Sequence, residues 1–468
     1  MTRCPTALFL TLAAFLIACA EGAGVASDAG TATDTTVASD GDIPDGGHPD
    51  GPMSGDAAPS DGHQGTDGHP GTDGAASDGP VGTLGRPFGT HGGYHGTGVL
   101  FPSDHTQTEL DDATESFYDQ WKMSYLKPGC QAGQYLMKSS PSTEPWTVSE
   151  AHGYGMVVAV IMAGYDPDAR SIFDGLYAFY DGHRSTVDSD LMAWAQDASC
   201  QNVQGADSAT DGDIDIAYAL LLADVQWGSG GAIDYLAEGQ RIVAAILASD
   251  VHPENSILVG DWATSGVPQY TGTRPSDFMT SQFKAFQRTS GVARWNDVVD
   301  KTYAVVTFLQ QNHSPSTGLL PDFAINAPTP TPQPAPADWL EGADDGNYAW
   351  NACRTPWRLA IDYLMSGEPR SQTAVRKMNE WVRAKTSDNP AGITDGYKLD
   401  GTALGSSPQL AFMAPFGASA MVEAATGTNQ AWLNALWDAI VGQGVSEYYG
   451  DSLKLQAMIV MSGNWWVP

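Results

Sequence analysis

The chain has 468 residues, with 55 acids against 22 bases and a formal net charge of −33 at pH 7. That balance excludes a nucleic-acid partner, because a phosphate-binding surface must be basic. It suits a soluble protein that repels anionic polymers and would attract a cationic one.

The first 19 residues read as a targeting segment. Arg3 supplies the charge, and the apolar run Ala7 to Ile17 is too short to span a membrane. The run ends Leu16-Ile17-Ala18-Cys19, which resembles a bacterial lipobox with Cys19 as the lipidated mature N-terminus. The expectation is export, with the membrane touched only through an N-terminal lipid anchor. Residues 20–84 follow, dominated by Gly, Ala, Ser, Thr, Asp and Pro, with eleven Asp, one Glu and no Lys or Arg. Such a segment buries too little apolar surface to fold and reads as a self-repelling tether. His48, His63 and His69 sit in it singly and are read as solvated. Setting aside the tether's twelve acids and Arg3 leaves −22 for the rest, so the acidity belongs mostly to the folded part, 85–468.

From residue 85 the composition changes. Apolar residues recur at helical spacing in Ala113–Leu126, Gly153–Ala163, Ser171–Tyr180, Ile214–Trp227, Tyr235–Ala248 and Pro275–Thr289. They do so again in Asn296–Gln311, Trp357–Met365, Thr373–Ala384, Gln409–Ala425, Asn429–Val441 and Ser452–Met461. Loops rich in Gly, Pro and Asp separate them, and alternating strand patterns are scarce. About a dozen helices predict an all-α fold of repeated hairpins, closed into an α/α toroid or left open as a solenoid. No sequence repeat is visible, which disfavours the solenoid. Of five cysteines, Cys4 and Cys19 belong to the targeting segment. Cys130, Cys200 and Cys353 allow one bridge with one thiol left over, and the pairing stays open. Their spacing fits no zinc pattern, and neither metal nor cofactor is expected.

Three stretches stand out. In Ala209-Thr210-Asp211-Gly212-Asp213-Ile214-Asp215 three acids alternate at the start of a strongly apolar helix. Asp is a preferred cap, and free N–H groups at a helix start favour negative charge, so capping is the plain alternative to function. In Trp146-Thr147-Val148-Ser149-Glu150-Ala151-His152-Gly153-Tyr154-Gly155-Met156, Thr147 and Glu150 have capping-box spacing. Yet Glu150 lies among apolar and aromatic neighbours, which raise a carboxyl pKa as a general acid requires. The third stretch follows a Pro-rich loop and runs Asp338-Trp339-Leu340-Glu341, then Asp344-Asp345-Gly346-Asn347-Tyr348-Ala349-Trp350-Asn351-Ala352-Cys353-Arg354-Thr355-Pro356-Trp357-Arg358. Long ordered loops in compact domains are often functional. Arg354 and Arg358 share a helix face if Pro356 lies in the first turn. Tryptophans beside acids and arginines suit a sugar-binding cleft.

These stretches resemble glycoside hydrolase family 8. Ser149 to Met156 is similar to the family's proton-donor motif, Ala209 to Trp227 to its signature, and Trp350-Asn351-Ala352-Cys353-Arg354 to its later Tyr-Asp-Ala-x-Arg motif. Tyr448-Tyr449-Gly450-Asp451-Ser452 and Ala414-Pro415-Phe416-Gly417 also look like family features. The resemblance implies an (α/α)6 barrel and inverting hydrolysis of a β-1,4-linked polysaccharide. It implies Glu150 as general acid and Asp211 as the residue holding the sugar where the bond breaks. The usual base position is occupied by Asn351, which cannot accept a proton. The branch with Asn here, which includes chitosanases and β-glucanases, places a Glu in the preceding loop, so Glu341 is the expected base. Asp344 and Asp345 are near rivals and Asp322 a more distant one. Trp146, Tyr154, Trp194, Asp213, Trp339, Trp350, Asn351 and Arg354 are assigned to substrate contact, and Asp215 to structure. The Asn branch and the negative charge lean towards chitosan, with β-1,4-glucan or mixed-linkage β-glucan next and xylan third. The other class of reading is an inactive surface glycan-binding lipoprotein. A monomer is expected.

Overall fold

The computed structural model describes residues 84–468, so the targeting segment with Cys19 and nearly all of the tether lie outside the described residues. Twelve α-helices run through the described residues: α1 (Gln107–Tyr125), α2 (Ser149–Ile161), α3 (Ala169–Gly182), α4 (Thr210–Trp227), α5 (Tyr235–Ala245), α6 (Thr280–Ser290), α7 (Arg294–Asn312), α8 (Thr355–Ser366), α9 (Pro369–Thr386), α10 (Leu410–Ala420), α11 (Gly427–Val441) and α12 (Tyr448–Met461). Each even-numbered helix packs on the next even-numbered one from α2 to α12, and α3, α5, α7, α9 and α11 back the inner helix before them. Helix α1 packs on α12, completing the sixth pair of an (α/α)6 barrel. None of the helices among the described residues is long and apolar enough to cross a membrane.

Sequence explains which helices are inner. A helix apolar on all sides must be buried on all sides, whereas an outer one needs only a stripe. Every residue of α2 except Glu150 is buried, and every residue of α12 except Tyr449. Outer α9 buries only Ser371, Ala374, Val375, Met378, Asn379 and Val382, one face at i, i+3, i+4 spacing. Glycine sets how closely α2 and α4 cross. A Cβ on Gly212 would lie 2.3 Å from Ser149 Oγ, and one on Gly153 would lie 2.6 Å from Asp215 Cβ. Interhelical distance follows the side chains at the contact, so these two positions bring the start of α4 against the start of α2.

The expected helices are present with shifted ends. Helix α4 begins at Thr210, four residues before the apolar run, so Asp211 and Asp213 lie in its first turn. Helix α1 begins at Gln107, where Thr106 and Glu109 form a capping box that the apolar pattern did not signal. The Pro275 start becomes a 3-10 turn, Pro275–Asp277, ahead of α6. Sheet is limited among the described residues to three two-stranded pairs: β1 (Leu126–Pro128) with β2 (Tyr135–Met137), β3 (Thr147–Val148) with β4 (Ala195–Gln196), and β5 (Ala324–Ile325) with β6 (Gln333–Pro334).

The open cysteine question resolves as a Cys130–Cys200 bridge, with Cys353 buried and free. The bridge ties the turn after β1 to the loop after β4. It closes a separation of 70 residues. Replacing both cysteines by serine should lower unfolding free energy by about 4 kcal/mol, on the loop-closure account. Urea melts of the double variant and the parent measure it; equal midpoints would contradict the expectation.

Candidate active site

The site forms where the starts of α2, α4 and α8 meet the long connection from α7 to α8. Strand β3 delivers the chain into α2, and Ser149 N–H donates to Trp194 O at 2.8 Å while Trp146 N–H donates to Gln196 O at 2.8 Å. Trp146 and Trp194 thus flank the start of α2, both half-buried. The Lys138 ammonium sits 4.5 Å from the Trp146 ring centre. The capping box suggested for Thr147 and Glu150 does not form. The N-cap is Val148, without a side-chain bond, and Thr147 Oγ1 faces His152 Nε2 at 3.2 Å. Glu150 is left to face the interior of the site.

There it meets Arg354, whose Nη1 donates both to Glu150 Oε2 and, at 2.8 Å, to Asp211 Oδ2. Arg354 Nη2 donates to Ser276 Oγ at 2.8 Å and to Asn351 Oδ1 at 3.0 Å. Asn351 Nδ2 in turn donates to Glu341 Oε2 at 2.7 Å. A second guanidinium, Arg274, donates to Asp211 Oδ2 at 2.9 Å and lies 3.9 Å from Glu341 Oε1. Glu150, Asp211 and Glu341 are therefore joined through Arg354, Arg274 and Asn351 in one closed network. Exposure separates the three acids. The Glu150 and Glu341 side chains are 16% and 25% exposed, but Asp211 is 4% exposed.

The surroundings set different protonation tendencies. Burial raises the Glu150 carboxyl to about 7, against the pull of Arg354 and with a further push from Asp211. Burial also acts on Asp211, but Arg274 and Arg354 outweigh it and hold that carboxyl well below the usual range. Burial raises Glu341, with Arg274 and the Asn351 amide pulling it back. The arrangement offers two carboxyls open on one side and an ionised carboxylate between them.

The three acids of the α4 start part company. Asp215 is clamped by Arg358, with Nη1 at 3.0 Å and Nη2 at 2.5 Å, which makes it structural as expected. Asp213 and Tyr154, expected to touch substrate, are instead fully buried. Asp213 accepts from Met192 N–H at 2.9 Å, and Tyr154 lies under the Arg358 guanidinium. Tyr154 lies beyond the first turn of α2, and Asp213, although in the first turn of α4, turns to the Met192 N–H instead of the open side. Of the rivals to Glu341, Asp345 accepts from the N–H groups of Leu340 (2.7 Å), Glu341 (3.1 Å) and Gly342 (2.9 Å) and so shapes the loop. Asp344 is exposed and accepts from Asn347 Nδ2. Trp339 packs on Phe323, with ring centres 5.5 Å apart, and covers Gly272, where a Cβ would meet its ring at 2.3 Å. Trp350 packs against Phe412 and Tyr449.

Sequence reading missed Arg274 and Ser276. Their only signal was an arginine just before a helix, Arg274-Pro275-Ser276-Asp277, in a chain poor in bases. Among the described residues no group of three or more His, Cys, Asp or Glu has the geometry to hold a metal ion.

Comparison with known proteins adds an independent line. The sequence profile described as "Glycosyl hydrolases family 8" matches residues 107–463. The "Beta-glucanase" of Niallia circulans is 51% identical over 382 residues, covering 81% of this chain and 91% of the relative. The "Endoglucanase" of Bacillus sp. (strain KSM-330) is 40% identical over 383 residues, covering 80% of each. Among solved structures, the apo β-1,3-1,4-glucanase of Paenibacillus sp. X4 superposes with a TM-score of 0.78 at 49% identity, covering 82% of this chain and all of that one.

The Asp215–Arg358 pair is buried and tests the division between structure and site. Arg358→Met should cost about 3–5 kcal/mol, because it strands a buried carboxylate. Adding Asp215→Leu should recover most of the loss. Denaturant melts of both variants measure this, and a single variant as stable as the parent would refute the assignment.

Proposed function

The chain belongs to glycosyl hydrolases family 8, and from that premise we propose that it is an inverting endo-glycosidase cutting β-1,4 bonds of a glucan, with Glu150 as general acid and Glu341 as base. The observation that carries the reading is the pairing of Glu150 and Glu341. They are the two partly open carboxyls on one cationic network, and burial raises the Glu150 carboxyl to about 7.

Inversion needs an acid on one face of the sugar and a base with room for a water on the other. In this reading Glu150 protonates the leaving oxygen as the glycosidic bond breaks. Glu341 takes a proton from the water that attacks the anomeric carbon. Asp211, held ionised by two guanidiniums, faces the sugar between them and stabilises the positive charge that develops on the ring. Asn351 cannot accept a proton, but its amide orients Glu341 and it receives Arg354. The Glu341 carboxylate bonded to the Asn351 amide supports an active enzyme over an inactive glycan binder. Trp146, Trp194, Trp339 and Trp350 are half-buried and offer faces for sugar rings.

The names of the relatives support a β-glucan, mixed-linkage or β-1,4. Site electrostatics agree: Glu150, Asp211 and Glu341 each face arginine or amide donors, so the centre is not built around a ligand ammonium. Chitosan is the second reading, favoured by the chain's charge of −33. The Leu16–Cys19 sequence supports export with a lipid on Cys19, and the enzyme is taken to act as a monomer.

Glu150→Gln and Glu341→Gln should each lower kcat by about 10²–10⁴-fold, the usual worth of acid–base catalysis. KM should change little. Near-parental turnover of Glu341→Gln would remove it from the mechanism. The profile of kcat/KM against pH should be bell-shaped. A general acid must be protonated, so activity should fall as pH rises through about 7, where Glu150 loses its proton. Reducing-end release from lichenan, carboxymethylcellulose and chitosan across a salt titration decides the substrate. Salt-insensitive turnover of lichenan above the other two is expected. Preference for chitosan that fades with salt would favour the second reading.

A further inference from the structure

We propose that Asp322 is a positioning residue for hydrolysis: its carboxylate fixes the turn at residues 349–352, and through it the Asn351 amide and the Arg354 guanidinium. The inference rests on the reading of Glu341 as base.

Asp322 lies on the connection between α7 and α8 and is 5% exposed. Its Oδ1 accepts two backbone N–H groups, from Ala349 at 2.9 Å and from Ala352 at 2.6 Å, which bracket Asn351. Its own N–H donates to Asn347 O at 2.7 Å. The 3-10 turn Ala352–Arg354 starts here, and Asn351 stands at its N-cap without a side-chain cap bond. Free N–H groups at the start of a helical turn call for an acceptor, and Asn ordinarily supplies one from its own side chain. Asp322 supplies it instead, from 30 residues away. The Asn351 side chain is thereby released to donate to Glu341 and accept from Arg354.

A second carboxylate treats the other arm of the loop in the same way. Asp345 grips the N–H groups of residues 340–342, around Glu341. Phe323 N–H donates to Asp345 O at 2.8 Å, so the two grips are joined. The titratable groups that face Asp322 are Glu341, Tyr348 and Cys353, and the charged groups around Glu341 are Arg274, Asp345 and Arg354. Burial pushes the Asp322 carboxyl up to about 7, with Glu341 adding to that push and the backbone N–H groups pulling it back.

The experiment compares Asp322→Ala, Asp322→Asn, Asn351→Ala and Glu341→Gln in the full chain on lichenan. Asp322→Ala should lose about 100-fold in kcat, the scale of a small misplacement of catalytic groups, with KM within about threefold. Asp322→Asn keeps an oxygen that accepts both N–H groups, and should stay within about fivefold of the parent. The acidic limb of kcat/KM should move to higher pH in Asp322→Ala, as in Asn351→Ala, because the Glu341 carboxylate loses its amide donor. Removing Asp322 as a neighbour alone would leave it in place or move it to lower pH.

Three results would overturn the proposal. One is Asp322→Ala turning over within about fivefold of the parent. Another is an acidic limb that stays put or moves down. The third is Asp322→Asn as inactive as Glu341→Gln, which would make Asp322 a proton acceptor. Should Asp322→Ala fail to fold, Asp322→Asn decides: parental turnover with an unmoved limb supports the proposal, and deep loss overturns it. Near-parental turnover of Glu341→Gln would instead sink the reading of the base, whatever Asp322 does.

Discussion

The buried guanidinium of Arg354 is the contact on which the site depends. It is 1% exposed and reaches Glu150 on α2, Asp211 on α4, Ser276 before α6 and Asn351 before α8. Removing such a charge from water costs several kcal/mol, and only good geometry with several partners offsets it. The geometry depends on glycine. Gly153 and Gly212 let α2 and α4 approach closely enough for one guanidinium to hold an acid from each. The apolar inner helices bring the chain to this point, and the ion network fixes how their first turns meet.

Arg354 also accounts for a loop that would otherwise look like an insertion. In the proposed mechanism asparagine at position 351 leaves the base to come from elsewhere, and a long connection can bring one only if its backbone is held. Asp345 holds residues 340–342, Asp322 holds 349 and 352, and Asn351 joins the two arms through Glu341. Phe323 packs on Arg274, and Trp339 packs on Phe323 and Gly272. What the sequence presents as a Pro-rich excursion is therefore ordered by acids, not by apolar packing alone.

The helices were legible because inner helices such as α2, α10 and α12 are apolar nearly all round and outer ones carry a stripe, although inner α6 buries only part of its surface. Both patterns survive in a single sequence. The site was legible only in part, and two instances of one local pattern show why. Thr106 with Glu109 and Thr147 with Glu150 have the same spacing. The first forms a capping box. The second does not, because Glu150 finds Arg354, 204 residues away. The spacing does not distinguish them; only the apolar and aromatic neighbours of Glu150 do. Arg274 was missed for the same reason: its meaning lies in reaching Asp211 and Glu341, which sequence distance hides. Asp213 was over-read, since an acid in the first turn of a buried helix can point inward as well as out.

The proton on Glu150 follows from counting charges at the centre. Three carboxyls, Glu150, Asp211 and Glu341, face two guanidiniums, Arg274 and Arg354, and buried Asp277 also lies 4.0 Å from Arg274, so full ionisation would leave negative charge unmatched in a poorly solvated place. The proton should fall on the acid with the fewest donors. Asp211 receives Arg274, Arg354 and the Gly212 N–H. Glu341 receives the Asn351 amide, has Arg274 nearby and is the most exposed of the three. Glu150 has Arg354, and that cation is already shared with Asp211. Its neighbour is an arginine, which would ordinarily leave it without a proton at neutral pH, yet burial and the Asp211 charge win. The excess acid that marks the alternating stretch at the start of α4 thus has a use: Asp211, by staying ionised, takes up the positive charge that would otherwise strip Glu150 of its proton.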